Sequence, residues 1–170
     1  MEEDFYKFSK EVNIPVEIFL SPDLMGRKYK DNIMKILKEK YEKNCIPEWG
    51  YILKINKLVR MISDEIGNIT PAVKILIEVN MTIIMPQIGM EFTMGIDIIF
   101  THGIFIHRDK VRILIPIASM EGWTMIKDFT SQRLVNSQTN AVLKTNDKIN
   151  IKLVNVRFEK DGYSCIGEIL

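Results

Sequence analysis

Val12, Ile14, Val16, Ile18 and Leu20 alternate with Glu11, Asn13, Pro15, Glu17 and Phe19. A period of two predicts a half-buried strand, and Pro15 places that strand at a sheet edge or at a bulge. Ser21-Pro22 then offers an N-cap followed by proline at the first helical position. Met25, Tyr29, Ile33, Ile36 or Leu37 and Tyr41 recur at spacings of three to four, which predicts an amphipathic helix over about 22–43. Its other face carries Arg27, Lys28, Lys30, Lys35, Lys38, Lys40 and Lys43, a solvated surface or a docking face for an acidic partner. Gly26 in the first turn costs about 1 kcal/mol relative to alanine, which points to another backbone or a partner close by.

Cys45 to Pro47 ends the helix, and Trp49 opens a long strand running toward Ile62. Ser63 to Asn68 has turn chemistry. Val73, Ile75, Ile77, Val79 and Met81 alternate again as a strand, so the first half reads β-α-β-β and closes near Thr82. Met85-Pro86-Gln87-Ile88-Gly89 marks a junction, after which the pattern is strand throughout. Phe92 to Thr101 is one strand containing Gly95, and His102-Gly103 is a tight turn. Ile104–His107 and Val111–Ile115 form a hairpin around Arg108-Asp109-Lys110. Ser119 to Asp147 is polar and reads as a long irregular connection. Ile149–Phe158 and Tyr163–Leu170 close the chain as a hairpin. Three strands, a long connection and two strands is the order of a five-stranded OB barrel. The fold class expected is therefore α+β, with domains over 1–84 and 85–170.

Composition narrows the partners. Among 170 residues, 23 Lys+Arg against 22 Asp+Glu give a net charge of +1, which argues against a strongly basic nucleic-acid coat protein. Any affinity for nucleic acid must come from a local patch. Cys45 and Cys165 are the only cysteines, too few for a disulfide scaffold or a four-thiolate zinc site. An acidic N-terminus and the lack of a long apolar run predict an intracellular chain that does not enter a membrane.

Several short motifs then fall in one order. They are Ser21-Pro22-Asp23-Leu24-Met25-Gly26 before the lysine-rich helix, Gly50-Tyr51-Ile52 after Cys45, and Met85-Pro86 with Gly89-Met90-Glu91 and Gly95. His102-Gly103-Ile104-Phe105 and Cys165-Ile166-Gly167-Glu168-Ile169 complete the set. In this order and spacing the chain, from about Val12 to its end, resembles the stalk subunit of archaeal, eukaryotic and large-DNA-virus RNA polymerases, the seventh subunit in the usual eukaryotic count. It differs from the usual pattern at Ile69-Thr70-Pro71-Ala72, where the family has an acidic-glycine turn.

The resemblance implies a truncated ribonucleoprotein-like domain that plugs into the polymerase core near the clamp. It also implies an OB domain, of the type named for ribosomal protein S-one, that reaches toward exiting RNA. Partners implied are the large core subunits, nascent single-stranded RNA bound weakly, and a small helical stalk partner at the domain junction. The place of action is wherever transcription occurs, in a nucleus or, for a virus, in a cytoplasmic factory and virion. The apolar segments Met81–Pro86 and Leu58–Ile62 suit either that helical partner or an internal core.

Two candidate sites follow. The core-facing tip comprises Pro22, Leu24, Met25 and Gly26 with Ile66, Gly67, Asn68, Ile69, Thr70 and Pro71, two loops that carry apolar residues where loops are usually polar. The bland reading is that Leu24 and Met25 cap the domain's own core. The RNA face is expected on the second and third barrel strands. If Ile104 and Ile106 point inward, Phe105 and His107 point outward as stacking platforms, with Arg108, Lys110, Arg112, Lys152 and Arg157 available to phosphates. Ordinary barrel packing for Phe105 and a solvated rim of charges is the alternative.

No catalytic arrangement is legible. His102 and His107 lack the partners of a metal site, and no serine or cysteine has nucleophile context. Neither GxGxxG nor GxxxxGK[ST] occurs. No cofactor is expected. The sequence therefore points to a non-catalytic polymerase stalk subunit. A free OB-fold single-stranded RNA-binding factor in translation or RNA decay is the alternative, and a purely structural subunit without RNA contact is a third.

Overall fold

The computed structural model describes residues 4–66, 71–128 and 131–170. The chain is mostly strand with one α-helix among the described residues, an α+β protein with several sheets. It forms two compact units, Ser9–Ile84 and Met85–Leu170, the second joined by Asp4–Phe8. The N-terminal 3-10 turn belongs there because Phe5, 1% exposed, sets its ring edge-on to Phe92 at 5.2 Å.

In the first unit the strands β1 (Lys10–Leu20), β2 (Cys45–Ile46), β3 (Gly50–Ile66) and β4 (Val73–Ile84) form one antiparallel sheet in the order β1-β4-β3-β2. β1 pairs along its whole length with β4 and is an edge strand, the place in a sheet where a proline such as Pro15 is tolerated. The helix α1 (Tyr29–Tyr41) buries Ile33, Leu37 and Tyr41 against the alternate residues of the sheet, Val16, Ile18 and Leu20 on β1 and Ile75 to Ile83 on β4.

The helix is shorter than its periodicity predicts. Pro22–Leu24 is a 3-10 turn, with Leu24 N–H donating to Ser21 O at 2.9 Å and Met25 N–H to Pro22 O at 3.2 Å. The Leu24 carbonyl accepts from the Asn32 side-chain amide at 3.0 Å, so it serves a later turn of the helix in place of its own. Gly26, a poor helix former, lies in the break.

Ser63–Ile66, expected as a turn, is strand. Tyr51–Ile66 of β3 pairs with the whole of Val73–Ile84, four more residues on β3 than on β4, and the excess is absorbed by four register shifts, between Ile52 and Lys54, Ile55 and Lys57, Leu58 and Arg60, and Met61 and Ser63. The bulges recur every three residues because the sequence does: Ile52-Leu53-Lys54, Ile55-Asn56-Lys57, Leu58-Val59-Arg60, Met61-Ile62-Ser63. One apolar residue per triplet faces Ile83, Met81, Val79 or Ile77. Among the described residues no strand neighbours the outer edge of β3 beyond Ile52, and bulges with Lys54, Lys57 and Arg60 keep such an edge from pairing with another chain.

In the second unit β5 (Glu91–Gly95), β6 (Ile98–Phe100), β7 (Gly103–Arg108), β8 (Val111–Pro116), β12 (Lys148–Glu159) and β13 (Gly162–Ile169) form a sheet in the order β5-β12-β13-β8-β7-β6. All pairs are antiparallel except β8 with β13. The single strand expected over 92–101 is broken at Ile96-Asp97, because the Ile96 backbone turns aside to bond Asp147 O and Asn146 N–H. The inward residues Ile104, Ile106, Ile113, Ile115, Ile151 and Leu153 are fully buried. Gly103, at φ +148°, has no room for a side chain, since a Cβ there would collide with the Ile115 carbonyl oxygen.

The connection from 119 to 147 is not irregular. β9 (Trp123–Lys127), β10 (Gln132–Asn136) and β11 (Val142–Leu143) make a small antiparallel sheet in the order β11-β10-β9. Its polar strands hide the hydrophobic period, and its turn is held by a side chain instead. The buried Asn136 carboxamide oxygen accepts from Gln138 N–H at 2.8 Å and Thr139 N–H at 3.0 Å.

Candidate nucleic-acid interface

With Ile104 and Ile106 buried, strand alternation turns Phe105 and His107 outward, Phe105 half-buried and His107 exposed. Cross-strand register extends each into a row. Phe105 stands opposite Ile98 on β6 and Leu114 on β8, and Leu114 stands opposite Ile166 on β13, which faces Asn155 on β12. His107 stands opposite Arg112, Arg112 opposite Ser164, and Ser164 opposite Arg157. An apolar row thus crosses the outside of the sheet with a cationic row beside it. Ile98 is 54% exposed and Ile166 39%, so the apolar row faces solvent. The Phe105 and His107 rings are parallel within 8°, their centroids 6.4 Å apart.

The five expected cations part company here. Arg112 and Arg157 lie in the row, Arg157 with its head 3.5 Å from Glu159 at 75% exposure. Arg108 does not reach outward. Its Nη1 donates to Asp97 at 2.6 and 2.8 Å and to His107 O at 2.7 Å, so it clamps the end of β7 to the segment between β5 and β6. Lys110 forms an ion pair with Asp161, and its hydrogen bond holds the Asp161 carboxyl below the usual range. Lys152 stands between Glu91 and Glu168 on the strands either side, its ammonium 3.7 Å from Glu91, away from the row.

Sequence reasoning missed Ile98, Leu114 and Ile166. A signal existed: each is an apolar residue at a position where the two-residue period asks for a polar one, as in Val111-Arg112-Ile113-Leu114-Ile115.

In the first unit, Leu20, Val73 and Ile66 are in register, which brings Pro22, Leu24, Met25 and Gly26 to the same end of the sheet as Ile66 and Pro71. Leu24 and Met25 are half-buried against the helix–sheet core; Pro22, Gly26, Ile66 and Pro71 are exposed. Gly67, Asn68, Ile69 and Thr70 lie outside the described residues. Phe19, 62% exposed, adds apolar surface that the sequence did not single out, and Val59, Met61 and Ile62 of the apolar segment 58–62 are exposed as well. Met81, Ile83 and Ile84 are buried, whereas Leu58 is half-buried.

Among the described residues no three His, Cys, Asp or Glu side chains converge on a metal position, and no helix is long and apolar enough to cross a membrane. Both thiols are buried, and burial pushes Cys165 up to about 12. No family model matches the chain, and no curated protein matches it.

Proposed function

We propose that the chain is a non-catalytic stalk subunit of a multisubunit DNA-directed RNA polymerase. In this reading Ser9–Ile84 is the truncated ribonucleoprotein-like domain that docks at the clamp base, and Met85–Leu170 is an OB domain that guides nascent RNA during initiation and beyond. The observation that carries it is the strand order of the second unit. β5 and β6 stand at opposite ends of that order, yet only Ile96-Asp97 separates them in the chain. Taken as two halves of one bent strand, they join the ends of the sheet into a five-stranded Greek-key barrel, whose second and third strands are then β7 and β8. Those strands carry Phe105, His107 and Arg112 outward. A β-α-β-β unit ahead of such a barrel is the arrangement that the sequence resemblance implies.

Exposed Phe19, Ile62 and Ile66 favour a docking role for the distal end of the first unit. The engagement of Arg108, Lys110 and Lys152 with carboxylates favours weak RNA contact, suited to a subunit whose local concentration is set by tethering. Affinity purification of the tagged chain tests the reading. Co-purification of the large polymerase subunits is expected, and recovery of ribosomes or an RNA-decay complex in their place overturns it.

A free single-stranded RNA-binding factor is the second reading, favoured by one fact: the apolar and cationic rows are complete within the second unit. It requires tight binding by the isolated chain with a steep salt dependence. The stalk reading requires weak binding with a shallow one.

A further inference from the structure

The Phe105 and His107 rings are parallel within 8° and their centroids lie 6.4 Å apart, at the long end of the roughly 4.5–7 Å range of aromatic pairs. That separation is close to the rise of two residues along a strand, about 6.6–6.8 Å. The two rings are carried on the same face of β7 two residues apart, so the backbone spacing sets their separation. Carbon atoms in face-to-face contact need about 3.5–4.0 Å. Two such contacts in succession need roughly 7–8 Å, so a small outward rotation of two surface side chains admits one planar group between the rings.

The surroundings suit an unpaired nucleobase. His107 faces Arg112 across the hairpin, and Arg112 and Arg157 flank Ser164 on the neighbouring strands. Phosphate on either side of an inserted base meets that cationic row. The next base along the chain meets Leu114 and Ile166, which are apolar and accept the face of any base.

Resting on the RNA reading above and deepening it, we infer that the second unit takes single-stranded RNA by inserting one base between Phe105 and His107, its phosphates lying on Arg112 and Arg157. Three strand-to-strand steps separate His107 from Arg157, about 14 Å at 4.7–4.9 Å per step, so the footprint is on the order of three nucleotides. The site selects unpaired over paired bases, because a base inside a duplex has no free face. It reads no sequence, because every base has a π-face.

Equilibrium titration of the full chain with fluorescent 2-aminopurine in a hexanucleotide, beside a hexamer of abasic ribose-phosphate units, tests this. The base-bearing hexamer is expected to bind at least ten-fold more tightly than the abasic one, with quenching of the aminopurine. Phe105→Leu, which keeps apolar bulk without a ring, is expected to abolish the quenching and weaken binding about ten-fold, with a comparable loss for His107→Ala. Arg112→Gln is expected to weaken both hexamers alike. Equal binding of the two hexamers overturns the insertion and leaves an RNA contact through phosphate alone. Base-dependent binding that Phe105→Leu and His107→Ala leave unchanged also overturns it, and places the RNA elsewhere on the chain. Binding of neither hexamer at millimolar concentration overturns both the insertion and the RNA reading.

Discussion

Arg108 and Asp97 are joined by two hydrogen bonds from one guanidinium nitrogen, at 2.6 and 2.8 Å, with the side chains 21% and 33% exposed. The same Asp97 carboxylate accepts the His107 backbone N–H at 2.6 Å. One acidic residue in the link between β5 and β6 therefore holds the end of β7, and with it the backbone that presents His107. A basic residue beside an expected RNA face is spent on architecture.

Asp97→Asn should lower the stability of the second unit by about 1–3 kcal/mol, the range for losing a charge-assisted bond that is partly shielded from water. Arg108→Lys should recover little, because an ammonium does not reproduce the fork that also reaches Gly95 O. Denaturant unfolding followed through Trp123, in a Trp49→Phe background so that one tryptophan reports on one unit, measures both. Equal stability of Asp97→Asn and its parent would show that the clamp is idle in solution.

Phe5→Ala should cost the second unit about 3–5 kcal/mol and leave the first unaffected, since Phe5 fills a core position against Phe92. The complementary Trp123→Phe background reads the first unit through Trp49. Equal loss from both signals would place the N-terminal turn differently.

Gly103→Ala should destabilise the second unit severely, by several kcal/mol, since its backbone conformation is strained for any L side chain and a Cβ there meets the Ile115 carbonyl oxygen. Gly26→Ala should be harmless or slightly stabilising, because nothing lies within 4 Å of a Cβ at that position. Thermal melting of the two variants distinguishes a glycine needed for space from one that is merely permitted. Of the two explanations the sequence offered for Gly26, the structure shows no other backbone, among the described residues, within 4 Å of where its Cβ would stand.

The buried Cys165 thiol, pushed up from 9.0 to about 12, ties stability to pH at the alkaline end. The unfolded chain gives up this proton from about pH 9 while the native protein holds it. The native state thus binds more protons across that window, and stability falls with rising pH, by at most about 1.4 kcal/mol per unit. Below pH 9 the full contribution is present. Cys165→Ala should remove this component of the alkaline slope, as measured by urea midpoints between pH 8 and 11. In the native protein at pH 8 the thiol should resist alkylation until urea opens the unit.

The strands with clean alternation were legible, because one face of β1, β4, β7 and β8 is buried and the other is not. The row built on Phe105 and His107 was half legible for the same reason: Ile104 and Ile106 at 0% exposure dictate which way their neighbours point. The end of β3 and the small sheet β9–β11 escaped. The end of β3 looked like a turn because a bulge every third residue replaces the period of two by a period of three. The small sheet β9–β11 looked like loop because Asn136 organises it through side-chain acceptance, which no apolar pattern records.

Local chemistry along the chain determined the α+β class, the change of pattern near Met85, and the outward aim of Phe105 and His107, since each depends on neighbours two to four residues apart. Tertiary structure alone decided which cations face solvent and which are bound. Arg108 and Asp97 are eleven residues apart, Lys110 and Asp161 are 51 apart, and ion pairs of that reach depend on how strands are ordered in the sheet. It also decided that Ile98, Leu114 and Ile166 form one row, because register across four strands is a property of the fold and of no single segment.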